Sequence, residues 1–460
     1  MITEQQLIGT KERRCRAIFV NRFYWPDESA TSQILTDLAE HLAANGAEVI
    51  VIASRLSYTS PRLRLAPTGE HRGVQIQRVW TTAFHRQSIA GRMMDFLTFY
   101  VLLTWRLLRV ARPGDIIIAK TDPPIIQAFA WFASSVKGAS LINWCQDLFP
   151  EFLHTLNMQK ASSPFGRLIT TVRNLALKGS MMNVTVALGM KRTLVAQGVD
   201  EKNLCVIRNW CDRQIVPVPH QANTLRQQWD LQGRFVIGYS GNLGRAHAAE
   251  KVFALIEAMA DVNNIGFVFI GSGHGMSWLQ QECQKSGHRH VLFKPYQPRA
   301  SLKHSLSLPD LHLISLGRRL DECLTPSKFF GILAAGRPIA FLGDPNCDLA
   351  NEIRELSLGI SLDIDDEAAW RSQLIRLRDD KPGLAAMAAN ARKAHETRFE
   401  ARHALDAWLK LIEPNLLSAL SIDVPPRPAA AAKNTESSTA KRLVSETPRL
   451  GAGVGRQTVD

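Results

Sequence analysis

The sequence predicts an α/β protein built from two doubly wound parallel sheets. Short apolar runs alternate with helical patterns through both halves of the chain, and a polar, proline-containing stretch near residues 209–230 separates the halves. A local signal agrees with this. Phe235 to Gly238 runs into Tyr239-Ser240-Gly241-Asn242-Leu243-Gly244-Arg245-Ala246-His247, and an apolar-periodic segment, Val252 to Met259, follows. The order is strand, glycine-rich turn, helix.

The first half opens with a strand over Ala17–Asn21. A helix near Ser32–Asn45 follows a loop whose Ser29, Thr31 and Ser32 hydroxyls can cap it. Gly46 closes that helix and Val49–Ile52 is the next strand. Residues 91–112 hold an apolar run flanked by arginines. Asp115–Ala119 reads as a buried parallel strand, stopped by Pro123-Pro124; a helix to about Val136 and a strand at Leu141–Trp144 come next. Helical patterns at Ser163–Leu177 and Met190–Gln197 flank a strand, Met182–Ala187. In the second half, strands are expected at 235–239, 266–270, 290–293, 311–315, 338–342 and 358–361. Residues 382–413 are almost wholly helical in propensity. Beyond about Ile422 the chain turns to Pro, Ala, Ser, Thr and Lys, a composition expected to stay disordered.

At 460 residues with 45% hydrophobic and 21% charged residues, the chain has the profile of a globular protein of two or three domains. Its seven cysteines are scattered, with no C-x-x-C pair, which favours a reducing compartment. Met1 to Arg16 lacks an apolar core, so no signal peptide is expected. The formal charge of +13 asks for an anionic partner, yet no nucleic-acid-binding module is recognisable. An anionic membrane surface fits better, because Arg92, Arg106, Arg109 and Arg112 flank the apolar run Phe96–Trp105. That run is far short of the roughly 20 residues a bilayer span needs. It suits a core helix, a helix lying in the membrane interface, or the wall of a groove for a lipid-linked ligand.

The residues with chemistry lie at two turns of the second half. Gly241 and Gly244 let the backbone approach a ligand, Asn242 sits between them, and the helix start behind offers N–H groups to an anion. Arg245 and Lys251 can bring positive charge to the same anion, and His247 either contacts the ligand or caps the helix. About 80 residues later, Glu322-Cys323-Leu324-Thr325-Pro326-Ser327-Lys328 leads into a second helix, with Ser327 and Lys328 at its N-terminus. Together they describe a diphosphate cradle. In the first half, Gln146 and Asp147 follow the strand ending near Trp144; the carboxylate of Asp147 can orient or deprotonate a hydroxyl, or serve structure alone.

The phrases GNLGRAH and PSKFFGILAAGRP, with Phe23-Tyr24-Trp25-Pro26, Gln146-Asp147-Leu148-Phe149-Pro150-Glu151, Asn209-Trp210-Cys211-Asp212 and Pro295-Tyr296-Gln297-Pro298, resemble the GT-B glycosyltransferases of family 4. The likeness is to bacterial exopolysaccharide enzymes of the colanic-acid type and covers roughly residues 15–413. It implies the GT-B fold, two Rossmann-like domains facing across a cleft, with a C-terminal helix crossing back. The expected divisions are 1–212, a linker at 213–230, 231–400, a returning helix at 401–420 and a tail at 421–460. The resemblance also implies transfer of a sugar from a nucleotide-diphosphate sugar to a hydroxyl, with retention at the anomeric carbon. Donor contacts fall on Gly241, Asn242, Gly244, Arg245, His247, Lys251, Tyr296, Pro326, Ser327 and Lys328. Catalytic roles fall on Arg245, Lys328, Glu322 and Asp147, and acceptor contacts on Gln146, Asp147, Ser29 and Thr31. A polyprenyl-diphosphate-linked glycan would be the acceptor, met at the inner face of the cytoplasmic membrane. No cofactor is expected, and no metal, since the one Asp-x-Asp, Asp363-Ile364-Asp365, lies away from the motifs.

Two departures stand out. The family has two glutamates separated by seven residues; here Glu322 stands one residue early for the first, and Gly331 occupies the second position. Many members have a His before the Asp where Gln146 stands. Two other functions stay open beside transfer. One is a GT-B sugar-nucleotide epimerase, and the other a non-catalytic scaffold that binds nucleotide-sugar or lipid.

Overall fold

The computed structural model describes residues 15–27, 29–58, 63–84, 89–151 and 164–412. The expected leader-free N-terminus lies outside these residues except at its last two positions, and so do the tail and the end of the returning helix. The first sheet has eight strands: β1 (Arg16–Val20), β2 (Glu48–Ser54), β3 (Thr68–His71), β4 (Val74–Val79), β5 (Ile116–Lys120), β6 (Ser140–Cys145), β7 (Met182–Thr185) and β8 (Leu204–Val206). Their order is β3-β4-β2-β1-β5-β6-β7-β8, parallel throughout except for β3 against β4. The second sheet is fully parallel, in the order β11-β10-β9-β12-β13-β14. Its strands are β9 (Phe235–Asn242), β10 (Ile265–Ser272), β11 (Val291–Lys294), β12 (Leu311–Ser315), β13 (Ile339–Gly343) and β14 (Gly359–Asp363).

The strands form where continuous apolar runs can be buried on both faces. In β1, Ala17 and Phe19 face one layer, and Ile18 and Val20 face the other. The first layer contains α1 (Ala30–Ala44) and the helix Ala401–Ile412; the second contains α2 (Ile89–Val110) and α3 (Ile126–Lys137). Beside α3 lies α4 (Pro164–Lys178), and α5 (Leu188–Ala196) follows β7.

The β3–β4 hairpin is absent from the sequence expectation. Its outer strand β3 is polar and forms the sheet edge, β4 beside it buries only Val74, Ile76 and Val79, and Arg72-Gly73 turns the hairpin with both φ angles positive. The helical stretch 382–413 is also interrupted. It runs Lys381–Ala394, takes a wide turn at His395–Phe399, and restarts at Ala401 after an extended Glu400. The break has a packing cause. Ala391, Ala394 and Phe399 belong to the core of the second half, whereas Ala401, Ala404, Leu405, Trp408, Leu409 and Ile412 pack on the first sheet.

In each sheet the strand order reverses at one point, between β1 and β5 and between β9 and β12. The loops leaving the carboxyl ends of these strands therefore diverge and leave a crevice. They include the turn after β5 and the glycine-rich turn after β9.

Candidate active site

A cleft of about 1420 Å³ opens between the carboxyl ends of the two sheets. Its second-half wall begins where β9 ends. Gly241 pairs in register with Gly271 of β10, and a Cβ on Gly271 would stand 2.1 Å from the Gly241 carbonyl oxygen, so the two backbones touch only because that residue is glycine. Beyond Gly244 the chain makes a tight turn, Arg245–His247, and reaches the helix Ala249–Ala258 through Ala248, at φ +42°.

Arg245 is exposed in the cleft and pairs with no carboxylate among the described residues. His247 donates from Nδ1 to the Ser315 carbonyl at 2.8 Å, and the Ser315 hydroxyl donates back to the His247 carbonyl. Burial and the nearby Lys328 charge push the imidazole pKa down to about 4, so it is neutral with Nε2 unprotonated. Lys328 begins the helix Lys328–Ala334. Its ammonium is buried, has no hydrogen-bond partner among the described residues, and lies 3.5 Å from the centre of the Tyr239 ring. Desolvation holds its pKa well below the usual lysine range. Pro326, Ser327 and the half-exposed Tyr296 complete this wall with Gly241, Asn242 and Gly244.

On the first-half wall, Asp147 opens into the cleft with protein mass crowded around it. That desolvation and the Asp122 charge push its pKa up to about 6, against the pull of Lys120. The other first-half expectations do not line the cleft. The Gln146 side chain is occupied by Asn209, giving one hydrogen bond at 3.2 Å and taking one at 2.8 Å. Ser29 caps α1, accepting from the Ser32 N–H at 3.3 Å. Thr31 Oγ1 sits 3.4 Å from the Ser29 hydroxyl, and it is Ala30, Gln33 and Ile34 from this turn that reach the cleft.

Two second-half candidates are directed elsewhere. Lys251 points along its helix surface to Glu367, at 2.7 Å, because the buried face of that helix is Ala249, Val252, Leu255 and Ile256. Glu322 lies in a short turn that docks on α5: its carbonyl accepts from Thr193 Oγ1 at 3.2 Å, and its half-exposed carboxylate lies 3.9 Å from Arg319. Neither side chain lines the cleft. At the second glutamate position, Gly331 leaves room that Leu306 and Ile215 fill, 3.2 and 3.9 Å from where a Cβ would stand.

Other lining residues come from the arginine-flanked segment 91–112, from the phrase Asn209-Trp210-Cys211-Asp212, and from positions with no signal of their own, such as Phe129 and Ile169. An apolar wall of Met93, Leu97, Tyr100, Phe129 and Ile169 runs along the first half, with Arg92 beside it. Trp210 donates to Asp37 at 3.0 Å, and Arg299 pairs with Asp212. The phrase Asn209-Trp210-Cys211-Asp212 was the available signal. The Asp-x-Asp is occupied by Arg318, 3.2 Å from Asp363 and 2.5 Å from Asp365. Among the described residues, no group of three or more His, Cys, Asp or Glu could hold a metal ion, and no helix is long and apolar enough to cross a membrane.

Residues 30–210 match the glycosyl transferase 4-like domain. The chain is 22% identical over 329 residues to the probable glycosyltransferase WbjE of Pseudomonas aeruginosa, covering 71% of this chain and 80% of that protein. It is 24% identical over 360 residues to the putative colanic acid biosynthesis glycosyl transferase WcaI of Escherichia coli K12, covering 75% and 87%. Among solved structures, Anabaena HepE in complex with UDP-glucose superimposes with a TM-score of 0.63 at 16% identity, covering 88% of this chain and 99% of that one. With two Rossmann-like sheets, a returning C-terminal helix and this distant homology, the chain is a family-4-like glycosyltransferase of GT-B fold.

Proposed function

We propose that the enzyme transfers a sugar to a hydroxyl of a polyprenyl-diphosphate-linked glycan during surface polysaccharide synthesis, with retention and without a metal, at the inner face of the cytoplasmic membrane. The observation that carries the reading is the convergence of two cations with no counter-ion among the described residues, Arg245 and Lys328, on one cleft whose far wall holds Asp147. A donor diphosphate supplies the missing counter-charge. As the glycosidic bond to the diphosphate breaks, negative charge grows on the leaving oxygen, and preorganised cations in a desolvated site stabilise it. Such cations fill the role a divalent ion plays in Asp-x-Asp enzymes. Asp147 accepts the acceptor hydroxyl's hydrogen bond and orients it. The departing phosphate oxygen then takes the proton, so a front-face reaction needs no strong protein base.

The lipid part of the proposal is supported by one face of the first half. Leu97, Val101 and Trp105 of α2, Phe132 and Val136 of α3, and Leu168, Val172 and Leu175 of α4 are all exposed. These three helices hold a single acidic residue, Asp95, which is buried; of their basic residues Arg173 is buried against Glu151, and Arg92, Arg106, Arg109, Lys137, Arg167 and Lys178 remain. An apolar face with positive charge suits an anionic bilayer. It is continuous with the cleft wall through Leu97 and Ile169.

UDP-glucose, the ligand of HepE, is the first donor to test. Donor consumption that requires an added polyprenyl-diphosphate glycan is the expected result. Isomerised donor sugar without acceptor would select an epimerase, and binding without turnover under either condition a scaffold.

A further inference from the structure

β5 is an apolar run that ends on a charge, Lys120, which is wholly buried. Its ammonium donates to the Thr31 carbonyl at 2.6 Å, in the first turn of α1, and lies 4.1 Å from the centre of the Trp144 ring. The next residue, Thr121, offers Oγ1 to the backbone N–H of Gln146 at 3.0 Å and of Asp147 at 3.5 Å. Three carboxylates act on the ammonium: Asp37 of α1, Asp122 of the turn after β5, and Asp147 of the turn after β6. Arg22, from the turn after β1, acts on Asp122. Burial pushes the Lys120 pKa down to about 7, and the three carboxylates oppose that shift.

A buried lysine is a poor source of stability, because an apolar side chain of similar length avoids its desolvation cost. Its charge therefore calls for another explanation, and its surroundings supply one. Lys120 does not line the cleft, yet it touches two elements that do. It holds the α1 turn that presents Ala30, Gln33 and Ile34, and it shares a turn with Thr121, which anchors the backbone of Asp147.

We propose that Lys120 is a positioning residue, whose ammonium, fixed by Thr31 and Trp144, sets the place of the Asp147 carboxylate relative to the α1 edge of the cleft. Its positive charge also favours the ionised form of that carboxylate. This rests on the reading of Asp147 as the acceptor-side group.

A double-mutant cycle on the full chain separates the two ideas, with transfer rate and nucleotide affinity measured for wild type, Lys120→Met, Asp147→Asn and the pair. Asp147→Asn should lower transfer about 100-fold. Lys120→Met should lower it about tenfold with nucleotide affinity unchanged within about twofold, and should cost less than about twofold more in the Asp147→Asn background. Loss of the positive charge should also move the acid limb of the pH–rate profile to higher pH, which a purely structural role would not do. Additive effects, or an unmoved limb, overturn the positioning role while leaving Asp147 in place. Wild-type transfer by Asp147→Asn removes the acceptor-side reading and the proposal together. Should Lys120→Met fail to fold, Lys120→Arg keeps the charge; its limb should stay at the wild-type pH while its rate falls, and a limb displaced upward overturns the proposal.

Discussion

The Lys328 ammonium lies over the face of the Tyr239 ring, 3.5 Å from its centre, as its single charge-stabilising contact among the described residues. An ion held this way prefers to lose its proton, and a diphosphate beside it restores the preference for the charged form. Nucleotide-diphosphate binding should therefore take up protons, and its affinity should fall as pH rises. Calorimetric titrations in buffers of different ionisation enthalpy check this. Lys328→Met should melt at a higher temperature than wild type in the absence of nucleotide, since it removes an unpaired buried charge.

Asp147 gives the reaction an acid limb. Its pKa is raised to about 6, so below that pH the carboxyl is protonated and no longer accepts the acceptor's hydrogen bond as an anion. The transfer rate should climb through about pH 6 and level off above it. Asp147→Asn should abolish that limb.

Trp408 of the returning helix is fully buried and packs on Trp144, with ring centres 4.8 Å apart. Trp408→Ala should lower stability by about 3–5 kcal/mol, measured by denaturant unfolding. The loss should fall on the first half, because the helix packs against that sheet.

The exposed face of α2 makes a separate prediction. Leu97→Glu with Val101→Glu should weaken binding to phosphatidylglycerol-containing vesicles by at least about tenfold, since each apolar side chain buried contributes about 1.5–3 kcal/mol. Added salt should weaken wild-type binding too, by screening the arginines. Sedimentation with vesicles reads both effects.

The two-sheet plan was legible because buried parallel strands are unbroken apolar runs, and the glycines and prolines between them act locally. The positions of Arg245 and Lys328 followed from the same local signals. Side-chain direction was not legible. Lys251 and Glu322 sit in the right segments, yet helix rotation and docking on α5 turn them away from the cleft. Gln146 offered a polar group to the cleft on paper, but Asn209, 63 residues later, occupies it. Lys120 was hidden for the opposite reason. A lysine at a strand end normally marks solvent, and only the packing of Thr31 and Trp144 reveals that it is enclosed. The β3–β4 hairpin escaped because a polar edge strand lacks the apolar run that betrays its neighbours.

The central claim is that Arg245 and Lys328 hold the donor diphosphate. Its most direct test is calorimetric titration of UDP and GDP into wild type, Arg245→Ala and Lys328→Ala. A charge-assisted hydrogen bond contributes about 1.5–3 kcal/mol, so each folded variant should bind the preferred nucleotide at least about tenfold more weakly than wild type. Wild-type affinity in both variants would contradict the account.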